Sequence, residues 1–542
     1  MTDSSRNNYS RSIAISKPGV SSKNGLVTAN HRSASAAGAR VLARGGNAVD
    51  AAVATSFMLG VCEPWMSGVG GCGAMLIYSA KSDSVESVDF GTVSPLSLNP
   101  DDYPLRQDHR EERFEPMCNW PKVEQDRNLI GAPSVCVPTT VRGMGAAHGR
   151  HGTLPWRDLV MPAAHEAARG VLLDSYAGLF IGGAAGELRR FPETAAMFLT
   201  DGLPPNVAWT GGRAATRPMP ELARTLRRIA DRGADEFYSG ETADELVEDV
   251  QKAGGKLSLE DMRAYRPIVH AVQPVTRLDH DIYIASELGG GASLVDVFNM
   301  LEGASCSQSG APGAGDVAGL IDALNISFSR RLATMGDSGE ARRPGCTTHF
   351  NVVDRHGNMV VVTQTLLSVF GSKLLSGQTG ILLNNGILWF DPATRSPNSL
   401  RPGKRPLNNM CPVIAARRDA DLMIGIGAAG GRKILPAVAQ ILWRMLRFGA
   451  TLEEAFHAPR FDTSRHTRVV ADFRLPEEIV ASLKRRYAVE LTERHFYPYT
   501  FGCPSAVLRQ HGINTGCTEV YSLWGDTVTE DCRISGTDCG HE

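Results

Sequence analysis

A run of short apolar strands in close succession decides most of what this chain can become. After residue 347 the sequence reads "THFNVVD", "NMVVVTQT", "GILLNN", "PVIAARR" and "DLMIGIG", then closes with the helical run "KILPAVAQILWRMLRFG". Short apolar strands joined by tight turns pair antiparallel, and such a sheet needs helices packed outside it. The preceding part supplies them. "SASAAGARVLARGG" reads as a helix stopped at Gly45-Gly46, and "NAVDAAVATSFMLGV" as a second, mostly buried helix capped by Asn47. The glycine-dense turn "SGVGGCG" then leads into a strand, "AMLIYSA". Helices dominate from about 154 to 265. "DIYIAS" reads as a strand, and "ASLVDVFNMLEG" as a helix behind a glycine triplet. Residues 1–23 read as a flexible leader, 104–130 as a charged surface loop, and 303–317 as a low-complexity flexible loop.

Composition narrows the function. Hydrophobic residues are 42% and charged residues 21%, the balance of a soluble globular protein, and the formal net charge is −2. That charge gives no reason to expect nucleic acid or an anionic membrane as partner. No run reaches the roughly 18 apolar residues of a membrane-crossing helix. The longest, from Ala48 to Val61, is shorter and contains Asp50. The polar amino terminus lacks a secretory signal, so the expectation is a cytoplasmic protein. Eleven cysteines form no C-x-x-C pair and the 14 histidines no H-x-x-x-H pair, so no disulfide framework, metal site or cofactor is indicated. Cys532 and Cys539 are close enough in sequence to pair, or are simply reduced thiols.

Two glycine clusters invite a dinucleotide reading. "GVGGCG" (Gly68, Gly70, Gly73) follows a helix and precedes a strand, the reverse of the required order. "GIGAAG" (Gly425, Gly427, Gly430) does run strand, turn, helix, but no second strand ending in an acid follows. It is either a turn whose free N–H groups face an anion or a developing oxyanion, or a tight strand–helix packing contact.

The strand "THFNVVD" begins with a Thr-Thr pair behind Pro-Gly-Cys. Cleavage of the Cys346–Thr347 bond would place an α-amine, with pKa of about 8, beside the Thr347 hydroxyl as its base. Thr363 and Thr365 alternate onto one face of the next strand, where a hydroxyl could orient that nucleophile. Strands are rich in threonine in any case, and spacing alone favours that plainer reading.

Several stretches together resemble the γ-glutamyltranspeptidases, a family of amino-terminal-nucleophile hydrolases. "ASAAGARVLARGGNAVDAAVATSFMLGVCEPWMSGVGGCGAMLIY" resembles the family's opening signature. "TTHFNVVDRHGNMVVVTQT" resembles the start of its small subunit, and "GILLNN" and "GAAGG" follow at similar positions. The resemblance implies an α+β fold, a four-layer αββα sandwich formed from two subunits of one self-cleaved precursor. These would be a large subunit of residues 24–346 and a small one of 347–542. Thr347 would be the autoprocessing and catalytic nucleophile, Thr365 its hydrogen-bonding partner, and Gly430 and Gly431 the oxyanion amides.

The departures from the family pattern concern the substrate. Gly91 stands where γ-glutamyl enzymes place an arginine for the α-carboxylate, and Trp389 where they place the acid for the α-amine. Asn408-Asn409 replaces a serine pair and Leu367 an asparagine. A pocket without those charges does not repay the desolvation of a zwitterionic glutamyl head. The pattern resembles the non-glutamyl branch, which includes oxamate amidohydrolases and cephalosporin-type acylases. Arg401, Lys404 and Arg405 are either ligands for an acidic substrate or a solvated loop. The expectation is a self-processing amide hydrolase acting on a small non-glutamyl amide, with Thr363, Gly91, Trp389, Asn408 and Asn409 lining the substrate site. The alternatives are a γ-glutamyl transferase with a divergent pocket and an unprocessed, non-catalytic binding protein.

Overall fold

The computed structural model describes residues 15–106, 120–205, 214–304, 307, 310–335, 348–393, 396–464, 468–496 and 499–532. Cys346, Thr347 and Cys539 therefore lie outside the described residues, as do 1–14 of the leader and 107–119 of the charged loop.

Two seven-stranded sheets form the centre. The first runs in the order Asp526–Thr529, Leu26–Ala29, Thr348–Val353, Met359–Thr365, Cys72–Ser79, Ser84–Phe90, Ile268–Val272. The second runs Val20–Ser22, Ile513–Thr518, Cys503–Gln510, Leu422–Ala429, Val413–Arg417, His280–Ile284, Val275–Arg277. Every neighbouring pair in both is antiparallel.

Period-two alternation assigns the faces. Met359 and Val361 join Leu26, Leu76 and Val353 in a core shared with Tyr283, Ile414 and Val507 of the second sheet. Val360 and Val362 point the other way, into a core with Arg32–Ala43, Ala48–Cys62 and the helices that follow. On the far side, Ile282, Val413 and Ile424 of the second sheet pack under Gly290–Leu301, Ala314–Thr334 and Ile434–Phe448. The result is a four-layer αββα sandwich. No helix among the described residues is long and apolar enough to cross a membrane.

The small residues of the first two helices have a steric purpose. A Cβ at Gly38 would fall 2.3 Å from Thr55 Oγ1, so the pair approaches only because that position is glycine. Asn47 caps the second helix, accepting from the Val49 and Asp50 amides, while Asp50 returns a bond to the Asn47 amide at 3.0 Å.

Two expectations need correction. "GILLNN" is not a strand: Leu382 makes one isolated bridge to Leu375, and the chain is otherwise held by side chains. Asn384 reaches the Gly70 and Cys136 carbonyls, both at 2.9 Å, in place of a ladder. The low-complexity segment also ends earlier than expected, because Ala314 already begins a helix whose Asp316 accepts from the Gly313 amide at 2.8 Å. Finally, a small three-stranded sheet (Phe461–Asp462, Val469–Asp472, Val489–Thr492) flanks the sandwich.

Candidate active site

Thr348 opens the strand Thr348–Val353, which is buried throughout and paired on both sides. It sits opposite Gln364, one residue from the end of the neighbouring strand at Thr365. Its Oγ1 donates to Glu63 Oε1 at 2.7 Å. Glu63 is the residue that ends the helix Ala48–Cys62 and is fully buried. Tyr176 donates its hydroxyl to the other carboxyl oxygen at 3.3 Å. Burial pushes this carboxyl up to about 7, against the two hydrogen bonds that favour its ionised form. A carboxyl that titrates near neutrality beside the start of this strand is placed to exchange protons at working pH. Sequence reading missed it. Its one signal was a single acid amid the apolar run "MLGVCEPW".

Aromatic rings hold this centre. Tyr176 stacks on Trp524 with ring centroids 3.9 Å apart, and meets Trp65 edge-on at 5.8 Å. Trp524 Nε1 donates to Asp174 at 2.9 Å.

Thr365 ends its strand with its hydroxyl accepting from the Leu367 amide at 2.6 Å. Leu367 has φ of +85°, a conformation that costs an L-residue free energy and marks a position fixed by its surroundings. Cys72, the cross-strand partner of Thr365, forms a small apolar cluster with Leu367, Leu388 and Trp389. Trp389 thus belongs to the apolar cluster around Cys72, the residue opposite Thr365. Its indole Nε1 has no acceptor among the described residues.

Thr363 is placed differently. Its hydroxyl lies 2.8 Å from His349 Nδ1, and His349 Nε2 lies 3.0 Å from Asn351 Oδ1. Asn351 Nδ2 donates to Thr28 and Ser505, the latter on the second sheet. With both amide hydrogens committed, Asn351 Oδ1 accepts from Nε2–H, leaving Nδ1 to accept from Thr363. Burial pulls His349 down to about 3, so the imidazole is neutral and this polarity holds. The Thr363 hydroxyl is therefore engaged between the sheets.

Gly430 and Gly431 follow the strand Leu422–Ala429 with φ of +126° and +61°. Among the described residues no acceptor meets either amide N–H. A Cβ at Gly430 would lie 3.0 Å from Gly502 Cα, so this turn is closed to other residues by both conformation and contact.

Gly91 is buried, and its carbonyl accepts from Tyr265 and from Arg405 Nη1, each at 2.9 Å. Arg405 also donates to the Arg266 carbonyl at 3.1 Å and lies 4.0 Å from Asp89. It is thus a buried structural cation beside Gly91, while Arg401 is exposed and Lys404 caps the Pro397 carbonyl. Asn408 Oδ1 accepts from the Met410 amide at 2.8 Å, and its Nδ2 has no acceptor among the described residues. It abuts Gly289, and the Asn409 carbonyl abuts Gly290, at the start of the helix Gly290–Leu301.

Comparison with known proteins agrees with this architecture. The sequence matches the family described as Gamma-glutamyltranspeptidase over residues 34–344 and 337–519. It is 30% identical over 511 residues to the Acylase ACY 1 proenzyme of Pseudomonas sp. (strain V22), covering 87% of this chain and 88% of that one. It is 28% identical over 492 residues to the glutathione hydrolase proenzyme of Escherichia coli (strain K12), covering 82% and 81%. The fold superposes on cephalosporin acylase from Bacillus halodurans with a TM-score of 0.81 at 22% identity, covering 96% of this chain and 98% of that one.

Proposed function

Since the chain belongs to the γ-glutamyltranspeptidase family and is an amide-hydrolysing enzyme of the amino-terminal-nucleophile type, we propose that Thr347 is its nucleophile and a non-glutamyl amide its substrate. The precursor cuts itself before Thr347, giving a large subunit of residues 24–346 behind a leader and a small subunit of 347–542. The Thr347 hydroxyl attacks the substrate carbonyl carbon while its own α-amine takes the proton. The tetrahedral oxyanion is met by the Gly430 and Gly431 amides, the proton passes to the departing amine, and water then hydrolyses the acyl ester. Thr365, at the end of the neighbouring strand, orients the nucleophile.

The observation that carries this reading is the Gly430–Gly431 turn, which presents two N–H groups without acceptors in a backbone conformation that glycine tolerates. The substrate assignment rests on the apolar cluster around Cys72, the residue opposite Thr365. Leu367 and Trp389 are apolar and buried there, and offer neither cation nor anion to a zwitterionic head. A γ-glutamyl enzyme with a divergent pocket is favoured by one feature, the buried Arg405 beside Gly91. Its guanidinium is already held by the Gly91 and Arg266 carbonyls.

Intact-mass spectrometry of the purified protein and of Thr347→Ala tests the nucleophile. Two fragments meeting at Cys346/Thr347 are expected, and a single chain in the variant. A wild-type chain that stays whole for days would overturn it. Turnover of acyl anilides in preference to a γ-glutamyl anilide is expected, and the opposite order would return the substrate to the glutamyl class.

A further inference from the structure

Behind the Gly430 turn lies a polar centre that the proposed chemistry does not use. Gly502 packs against Gly430 and also belongs to the wall of a small cavity lined by Arg460, Arg494, Tyr499, Glu519 and Tyr521. The cavity measures about 10 Å³, room for one water-sized species. Two of its arginines sit at the ends of the small three-stranded sheet, Arg460 just before Phe461 and Arg494 just after Thr492.

Arg460 is 1% exposed. Its Nη2 donates to Glu519 Oε2, but its Nε and Nη1 have no hydrogen-bond acceptor among the described residues. Arg494 donates from Nη2 to the Ala458 carbonyl at 2.8 Å, with Nε 3.1 Å from Asp472 and Nη1 3.7 Å from Glu519. Arg474 also grips Asp472, at 2.6 Å, and Glu519 Oε1 accepts from the Tyr521 amide at 3.2 Å. Three arginines thus face two engaged carboxylates, Arg460 and Arg494 being buried and Arg474 35% exposed. Lys17 lies nearby, donating to the Ser522 carbonyl at 2.8 Å, and its charge is met by the Asp526 carboxylate. Burial, and after it repulsion from Arg460, draws Arg494 down to about 9. Water would satisfy the spare N–H groups, whereas an anion would also offset the repulsion that Arg460 and Arg474 exert on Arg494.

We infer that this cavity is a binding site for a small monovalent anion, a halide ion or the carboxylate of a small acid, seated behind the oxyanion turn. The guanidinium groups supply the charge and the spare donors. The site does not rest on the reading of Thr347, and its test needs no turnover.

The test combines bromide-soaked crystals of the full protein with thermal denaturation in sodium chloride, bromide, formate or gluconate at fixed ionic strength. An anomalous bromine peak between Arg460 and Arg494 is expected, with a midpoint that rises saturably in chloride, bromide or formate over gluconate. A rise in halides alone assigns the site to halide ions, and a rise in formate alone to carboxylates. Arg460→Met should abolish both peak and rise. If that variant fails to fold, the wild-type peak and saturation decide. Midpoints that are the same in all four salts would overturn the site, even with a bromine peak, which would then be an adventitious ion only.

Discussion

Glu63 is the residue at which stability is most closely tied to pH. Its carboxyl titrates at about 7 in the folded chain, against a reference of 4.5. Between those values the folded protein holds a proton that the unfolded chain has released. Stability therefore falls as pH rises through that window and levels off above it, by an amount on the order of 3 kcal/mol. Glu63→Gln keeps the shape and removes the titration. Denaturation midpoints at pH 5 and pH 8 should show the variant gaining on the wild type as pH rises, and a constant difference would refute the assignment. Gly427 provides a second residue-scale prediction. A methyl group there would lie 2.3 Å from the His349 ring, between the two sheets. Gly427→Ala should cost about 1–3 kcal/mol by overpacking, measured by urea denaturation, and disturb the Thr363–His349–Asn351 chain.

At the scale of the element, the helix Ala48–Cys62 sets the position of Glu63 at its end. Asn47 and Asp50 close the other end reciprocally, and buried Asp50 also accepts from the Thr153 amide and hydroxyl. Asn47→Ala should cost about 1 kcal/mol. Asp50→Ala should cost more, about 2–4 kcal/mol, since it leaves several buried donors unpaired. The order of the two urea midpoints checks this. The helix was legible in sequence because its cap and its apolar run are both local signals. "GILLNN" misled because its β-prone residues are held by Asn384 reaching Gly70 and Cys136, partners far away in sequence.

At the scale of the whole molecule, the chain on either side of residue 347 is interleaved. The first sheet takes four strands from before that point and three from after it, and the second sheet three and four. Thr348–Val353 lies between Leu26–Ala29 and Met359–Thr365, so no cut before it frees a separate domain. Once cleaved, the two fragments should co-elute at the mass of the intact chain in gel filtration and part only in denaturant. Separate elution in native buffer would contradict this topology.

The sequence by itself determined the layer type, the two opening helices, most strands of the second half and the glycine turn at 430. Each of these depends on local periodicity, capping or backbone freedom. It also singled out Thr365 and Trp389, which the fold links through Cys72, opposite the first and clustered with the second. The tertiary structure alone decided which buried charges meet. Glu63 and Thr348 are separated by 285 residues, and Arg460 and Glu519 by 59. A carboxyl's affinity for its proton, or a guanidinium's spare donors, depends on burial and on neighbours brought from such distances. The same holds for Arg405, a loop cation in sequence and a buried brace at Gly91 in the fold. Local pattern specifies elements, whereas the free energy of a buried charge belongs to the packing around it.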